Sequence, residues 1–243
     1  MERFDVRIAG LHVEMHSLFP AARDFCRDYL TADSASAAFS VSSDPESVEH
    51  EQRHAKRPIT LFYADALCLQ KQMVEQLPFF DRFFFHGAAF TYGNDGFLLS
   101  GPSGVGKTTH VRLWQKYLGE DRVRIVNGDK NILCVGDSRV TVCSTPWAGK
   151  EQWQENRTAP LRAICFLKQG KHNAIRLLSP QDAVLPFLYQ LYVPKNDASV
   201  LRLIGLTARV CKTLPVYELT CDMSEDAVKT SFEALTGNRY PPL

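Results

Sequence analysis

The sequence predicts an α/β fold with a mixed β-sheet and flanking helices, and three observations carry that expectation. A glycine-rich stretch, residues 101–108, joins a short apolar segment to an amphipathic one. The entering segment, Gly96-Phe97-Leu98-Leu99-Ser100, overlaps the turn signal Gly93-Asn94-Asp95-Gly96, which makes it the second arm of a hairpin. A strand reached through a hairpin is antiparallel to its predecessor. A sheet built only of strand–helix–strand crossovers would be parallel, so the sheet here is expected to be mixed. Beyond residue 120, short apolar runs alternate with helical patterns carrying their own start and stop signals.

In chain order, Phe4, Val6 and Ile8 alternate with polar residues, Gly10 turns, and Leu11, Val13 and Met15 alternate again, which reads as a hairpin. Residues 20–30 suggest a short helix burying Ala22, Phe25, Cys26 and Tyr29. Residues 31–58 have the weakest pattern, and the charge run from Glu46 to Lys56 reads as a solvated strand or loop. Residues 59–77 read as a helix, and Arg82 to Thr91 as a continuous apolar β run. Strands follow at 123–126, 132–135, 140–143, 161–167 and 174–178, with Gly136-Asp137-Ser138 turning the second of these into the third. A helix over 179–191 opens on Ser179 as N-cap and Pro180 at the first helical position. A helix near 197–212, a strand over 216–221 and a helix over 224–236, capped by Ser224 and stopped by Gly237, close the chain. The change of pattern divides the chain into a small α+β region, residues 1–80, and a nucleotide-binding domain, residues 81–243.

Composition narrows the function classes. A net charge of +1 gives no electrostatic reason to expect nucleic acid or a membrane surface as partner. No apolar run reaches the length of a membrane span, and Met1-Glu2-Arg3-Phe4-Asp5 lacks the apolar core of a secretory signal. The seven cysteines form no C-x-x-C pair, and most sit in apolar stretches such as Ala163-Ile164-Cys165-Phe166. They are expected to be free thiols in a reducing cytoplasm.

Gly101-Pro102-Ser103-Gly104-Val105-Gly106-Lys107-Thr108 is a complete phosphate-binding loop, G-x-x-x-x-G-K-[ST]. The glycines allow dihedrals and close approaches that a Cβ would forbid, so successive N–H groups turn inward as an anion nest. Lys107 suits the β- and γ-phosphates, the Thr108 hydroxyl suits Mg²⁺, and Thr109 belongs to the helix start that faces the phosphates. Val111, Trp114, Tyr117 and Leu118 lie on one face of that helix.

Magnesium-nucleotide chemistry also needs a carboxylate. Arg124-Ile125-Val126-Asn127-Gly128-Asp129-Lys130 ends an apolar strand in a turn that carries Asp129. At a strand tip Asp129 suits a metal, through water, or the proton of an attacking hydroxyl; Asn-Gly is equally a turn signal. In Ser144-Thr145-Pro146-Trp147-Ala148-Gly149-Lys150, Lys150 suits a transferring phosphoryl group, and Trp147 suits either a pocket wall or the core edge. Arg157 is a candidate phosphate clamp or a surface arginine. His86, after Phe83-Phe84-Phe85, reads on pattern alone as a core histidine.

Phe85-His86-Gly87, then Leu99 to Thr108, then Val126-Asn127-Gly128-Asp129, in this order, resemble the phosphoenolpyruvate carboxykinase-like P-loop proteins. Within these the closest pattern is the catalytic domain of HPr kinase/phosphorylase and its shorter relatives. The resemblance covers roughly residues 82–180. It implies a phosphoenolpyruvate carboxykinase-like P-loop fold, with a mixed, partly barrel-like sheet and flanking helices. It also implies ATP and Mg²⁺ as ligands, a pocket role for His86, and transfer of the γ-phosphoryl group to a serine hydroxyl of a protein. Lys107 and the loop would hold the phosphates, Thr108 and Asp129 the metal, with Asp129 taking the hydroxyl proton. Related enzymes often assemble, which allows a homo-oligomer. The chain departs from the family in three places. Gly128-Asp129 stands where two aspartates are usual, Thr145-Pro146-Trp147-Ala148-Gly149 replaces a Glu-Arg-Gly segment, and residues 1–80 replace the separate N-terminal domain. The Thr-Pro-Trp segment is similar to that of stand-alone kinase-like proteins of modified-peptide biosynthesis, such as lasso-peptide kinases. A protein or peptide bearing a Ser/Thr hydroxyl is thus the expected acceptor. A small-molecule kinase and a nucleotide-binding regulator that transfers no phosphate are the alternatives.

Overall fold

Alternation of apolar and polar residues makes the first two strands, β1 (Glu2–Ile8) and β2 (Leu11–Ser17), an antiparallel hairpin with Ile8 opposite Leu11. Its two-residue turn places both Ala9 (φ 51°) and Gly10 (φ 78°) in the left-handed region, as a twist-matched turn requires. A short helix, α1 (Ala21–Phe25), and a 3₁₀ turn (Arg27–Tyr29) follow. β3 (Phe39–Ser42) adds parallel to β2. Helix α2 (Pro45–Arg53) starts where the Asp44 side chain accepts the Ser47 N–H, with Pro45 at the first position. Helix α3 (Leu61–Gln76) is capped by Thr60. The fully buried Asp65 on α3 is satisfied by the Phe19 N–H at 3.1 Å and by the Ser43 hydroxyl. The carboxylate of Glu75 receives the N–H groups of Lys195 (2.7 Å) and Asn196 (3.1 Å). Accordingly, Met1–Phe80 and Val193–Arg202 form one compact unit, and Asp81–Tyr192 with Leu203–Leu243 forms the other. The computed structural model describes residues 1–33, 36–149 and 151–241.

The second unit is a mixed sheet with helices. Its strands are β4 (Arg82–His86), β5 (Ala88–Tyr92), β6 (Asp95–Ser100), β7 (Val123–Asn127), β8 (Lys130–Val135), β9 (Val140–Cys143), β10 (Thr158–Gln169), β11 (Ala174–Leu177) and β12 (Val216–Cys221). Its helices are α4 (Lys107–Leu118), α5 (Pro180–Leu188) and α7 (Glu225–Thr236); α6 (Asp197–Thr213) begins in residues of the first unit and ends in residues of this one. The path runs β4-β8-β9-β10-β6-β5-β7, with β12 on the other part of β10 and β11 on β12. Among the described residues, β6 and β12 lie parallel to β10 and every other pairing in this sheet is antiparallel. The twelve-residue β10 pairs with β9 through Thr158 to Pro160 and with β6 from Leu161 to Phe166, with a register shift inside the β6 pairing between Leu161 and Ala163. An irregularity of this kind bends a strand.

Period-two alternation builds two cores. Leu98, Ile164 and Phe166 face one side, with Phe85, Phe187 and Val210. Phe97, Leu99, Ala163, Cys165 and Leu167 face the other, where Trp114 of α4 and Phe232 of α7 close the layer. The Trp114 ring lies 4.9 Å from Phe90 and 5.6 Å from Phe232, and its indole N–H donates to Ser231 at 2.9 Å. Such rings contribute about 1.5–3 kcal/mol each through burial, so α4 is anchored before any ligand is considered.

Three expectations need correction. The charge run from Glu46 to Lys56 is largely helix α2, because Asp44 and Pro45 cap it and Val48 gives it a buried face. The apolar run 82–91 is two strands, because Gly87 lies hard against β6. The helix expected over 20–30 is a five-residue helix followed by a 3₁₀ turn. Cysteines 26, 68, 134, 143, 165, 211 and 221 are free thiols, four of them buried. Among the described residues no helix is long and apolar enough to cross a membrane.

Candidate functional site

The glycine-rich loop, residues 101–108, leaves the C-terminal end of β6. Gly101, Gly104 and Gly106 all have positive φ (136°, 83° and 108°). Gly101 also passes within 3.2 Å, measured from where a Cβ would stand, of the Leu167 carbonyl on β10. Helices α2, α3, α5 and α7 each start on an oxygen-bearing side chain that accepts a backbone N–H. Helix α4 starts instead on the left-handed Gly106, with no side-chain cap and no acidic residue in its first turn. Its first N–H groups are therefore available to an anion. Pro102, Ser103 and Gly104 are exposed, whereas Lys107 is buried, its Nζ donating to the carbonyls of Gly101 (2.9 Å) and Pro102 (3.1 Å). Burial lowers the Lys107 pKa, and the charge of Asp129 opposes that shift. Val105, Thr108 and Thr109 complete the loop and the opening of α4, the first two partly exposed and Thr109 exposed.

Asp129 is held by a turn that Asn127 shapes. The buried Asn127 side-chain oxygen accepts the N–H groups of Asp129 (2.8 Å) and Lys130 (3.0 Å), and its amide nitrogen donates to the Thr145 carbonyl at 2.8 Å. Thr145 returns a hydroxyl bond to the Lys130 carbonyl at 2.5 Å. β7 and β8 do not pair with each other, so Asn127-Gly128-Asp129 links two separate ladders rather than closing a hairpin. The Asp129 carboxylate meets His86 Nε2 at 3.2 Å. Burial raises its pKa, but the His86 hydrogen bond and the charges of His86, Lys130 and Lys107 outweigh burial and hold it below the usual range. Gly149 (φ 76°) packs on this carboxylate; a Cβ there would stand 3.1 Å from Asp129 Oδ2.

His86 is fixed from three sides. Its N–H donates to the Gln190 carbonyl at 2.9 Å, its Nδ1 meets Gln190 Oε1 at 2.8 Å, and its carbonyl accepts the Ser100 hydroxyl at 2.7 Å. Gly87 N–H donates to the Asp129 carbonyl at 2.8 Å, and the Asn131 side chain donates to the Gly87 carbonyl at 2.7 Å. A Cβ on Gly87 would lie 2.7 Å from both the Leu99 carbonyl and a Leu98 methyl. The residue before the loop, Ser100, is thereby tied to the His86-Gly87 corner and, through it, to Asp129.

Lys107, Asp129 and His86 therefore share one electrostatic neighbourhood. Arg157 is committed to Glu155 at 3.0 Å, a carboxylate that also pairs with Arg124 at 3.0 Å. Lys150 lies outside the described residues. Trp147 is core: its ring is buried and sits edge-on to Phe84 at 5.8 Å. Sequence reading missed Ser100, Asn127, Lys130, Asn131 and Gln190. Asn127 carried a turn signal; Gln190, 104 residues from His86, carried none. Among the described residues no cluster of three or more His, Cys, Asp or Glu is arranged to hold a metal ion.

A solved structure similar to this chain is that of the HPr(Ser) kinase/phosphatase from Coxiella burnetii. The match has a TM-score of 0.37 and 9% identity, covering 64% of this chain and 94% of that one, a distant structural relationship. No protein-family model and no curated protein matches this chain.

Proposed function

We propose that the protein is an ATP-dependent kinase that transfers the γ-phosphoryl group to a Ser/Thr hydroxyl of a protein or peptide, on a phosphoenolpyruvate carboxykinase-like P-loop scaffold. The observation that carries this reading is the Asp129 carboxylate, 3.2 Å from His86 Nε2, with its pKa held below the usual range by His86, Lys130 and Lys107 of the glycine-rich loop. A phosphate cradle alone binds a nucleotide; a fixed carboxylate beside it accepts a proton.

The loop N–H groups and Lys107 bind and orient the triphosphate. The acceptor oxygen attacks the γ-phosphorus, its bond to the bridging oxygen of ADP breaks, and the hydroxyl proton passes to Asp129. His86 holds the carboxylate and screens its charge from the phosphates. Thr108 and Asp129 offer the oxygen donors that would hold Mg²⁺, which would supply neutralisation of charge on the phosphates. Positioning supplies most of the rate, because the reaction asks little covalent chemistry of the protein. A single carboxylate is consistent with this division of roles: a Cβ on Gly128 would come within 3.3 Å of the Trp153 carbonyl, so a second aspartate is not easily housed.

The test is Asp129→Ala. Turnover is expected to fall by at least a hundredfold while ATP affinity stays within tenfold. Tight ATP binding in the parent protein with no turnover would instead favour a nucleotide-binding regulator.

A further inference from the structure

Three consecutive parallel strands, β6, β10 and β12, end side by side at one edge of the second unit. Ligands of open α/β sheets sit outside the carboxyl ends of such strands. Here a cavity of about 410 Å³ opens at that edge, floored by the phosphate loop and the first turns of α4 and walled by the ends of β10 and β12. Asp129 is not among the residues that line it.

The chemistry of the wall is specific. Leu113, Leu167 and Met223 supply apolar surface. His110, Cys221 and Asp222 supply polar atoms. His110 is buried, and its Nε2 meets Ser231 Oγ at 2.9 Å. The Ser231 hydroxyl is itself directed to the Ala227 and Val228 carbonyls at 3.0 Å, so it accepts from His110, and the hydrogen-bond network assigns the imidazole proton to Nε2. His110 Nδ1 is left as an acceptor facing the Cys221 thiol 4.0 Å away, a contact too long to be a strong bond. Burial pushes the His110 pKa down to about 4, which keeps the ring neutral. The Asp222 carboxylate is fixed by the Ser224 N–H (2.9 Å) and hydroxyl (2.5 Å), both on Oδ1. The wall thus offers apolar contact with acceptors, and it suits a flat group carrying N–H or O–H donors.

We propose that this cavity binds the nucleoside of the triphosphate, with the base against Leu113, Leu167 and Met223 and its donors or those of the ribose received by His110 Nδ1 and Asp222. This rests on the phosphate loop holding the triphosphate, as inferred above, and names where the rest of the nucleotide lies.

Inorganic tripolyphosphate separates the two claims. Binding of ATP and of tripolyphosphate is measured on the full chain, and Cys221 is alkylated with N-ethylmaleimide and followed by mass spectrometry. The expected result is that ATP binds at least tenfold more tightly than tripolyphosphate, and that ATP but not tripolyphosphate protects Cys221. In Asp222→Asn and in Met223→Ala, whose side chain is largely exposed, the ratio is expected to fall several-fold with tripolyphosphate affinity unchanged, which also shows that the variants fold. Equal affinity for the two ligands, or equal protection of Cys221 by both, would overturn the cavity assignment while leaving the loop assignment standing. Failure of both ligands to bind the parent protein would overturn the two together.

Discussion

Asp129 and Lys107 carry the proposed chemistry, and they should separate by phenotype. Lys107→Ala removes a cation from the phosphate cradle and is expected to weaken ATP at least tenfold, whereas Asp129→Ala spares binding and removes turnover. His86→Ala leaves the Asp129 carboxylate without its hydrogen-bond partner. Turnover should fall ten- to a hundredfold, and its acid limb should move to higher pH, because the His86 bond is a main force holding that carboxyl low. A pH–rate profile of the parent and variant checks both statements. His110 gives a stability prediction with a definite sign. Its folded pKa of about 4 lies below the ordinary histidine value, so between these values the unfolded chain binds the proton and the folded chain does not. Stability should therefore fall as pH drops from about 6.5 to 4, by up to about 3 kcal/mol from this residue, and His110→Gln should flatten that slope in urea titrations.

At the scale of elements, two glycines fix the site. Gly87→Ala would drive a Cβ to 2.7 Å from the backbone of β6. We expect about 3 kcal/mol of destabilisation, seen as a drop in Tm on the order of 10 °C. Gly149→Ala is strained by its positive φ and presses on Asp129 at 3.1 Å. It should lower turnover at least tenfold with a smaller loss of stability. These constraints also explain what was legible in the sequence. The glycine-rich turn between β6 and α4, the hairpin before it and the caps at Ser179 and Ser224 are signalled within a few residues, and each is where the pattern puts it. Helix α2 was hidden because its charged residues suggested solvent, while the Asp44-Pro45 start signal was only two residues long. The break at Gly87 was invisible because the apolar run continues across it; only the neighbouring strand forbids a side chain there.

At the scale of the whole chain, long-range pairings carried no sequence signal. β10 joins β9, β6 and β12 along its length, and Val193–Arg202 belongs with the first 80 residues. Gln190 reaches His86 across 104 positions, so the sequence named His86 without showing what orients it. If ATP binds only the folded state, it should stabilise the protein by about 2.7 kcal/mol at a hundred times its Kd, and at the same concentration this gain should fall to about 1.4 kcal/mol or less in Lys107→Ala. The most direct measurement is transfer itself. The purified protein is incubated with Mg²⁺ and γ-labelled ATP, with and without a cell lysate, beside Lys107→Ala. Label carried to a discrete protein or peptide by the parent and not by the variant is the expected result. Tight nucleotide binding with no Lys107-dependent transfer would contradict the kinase reading.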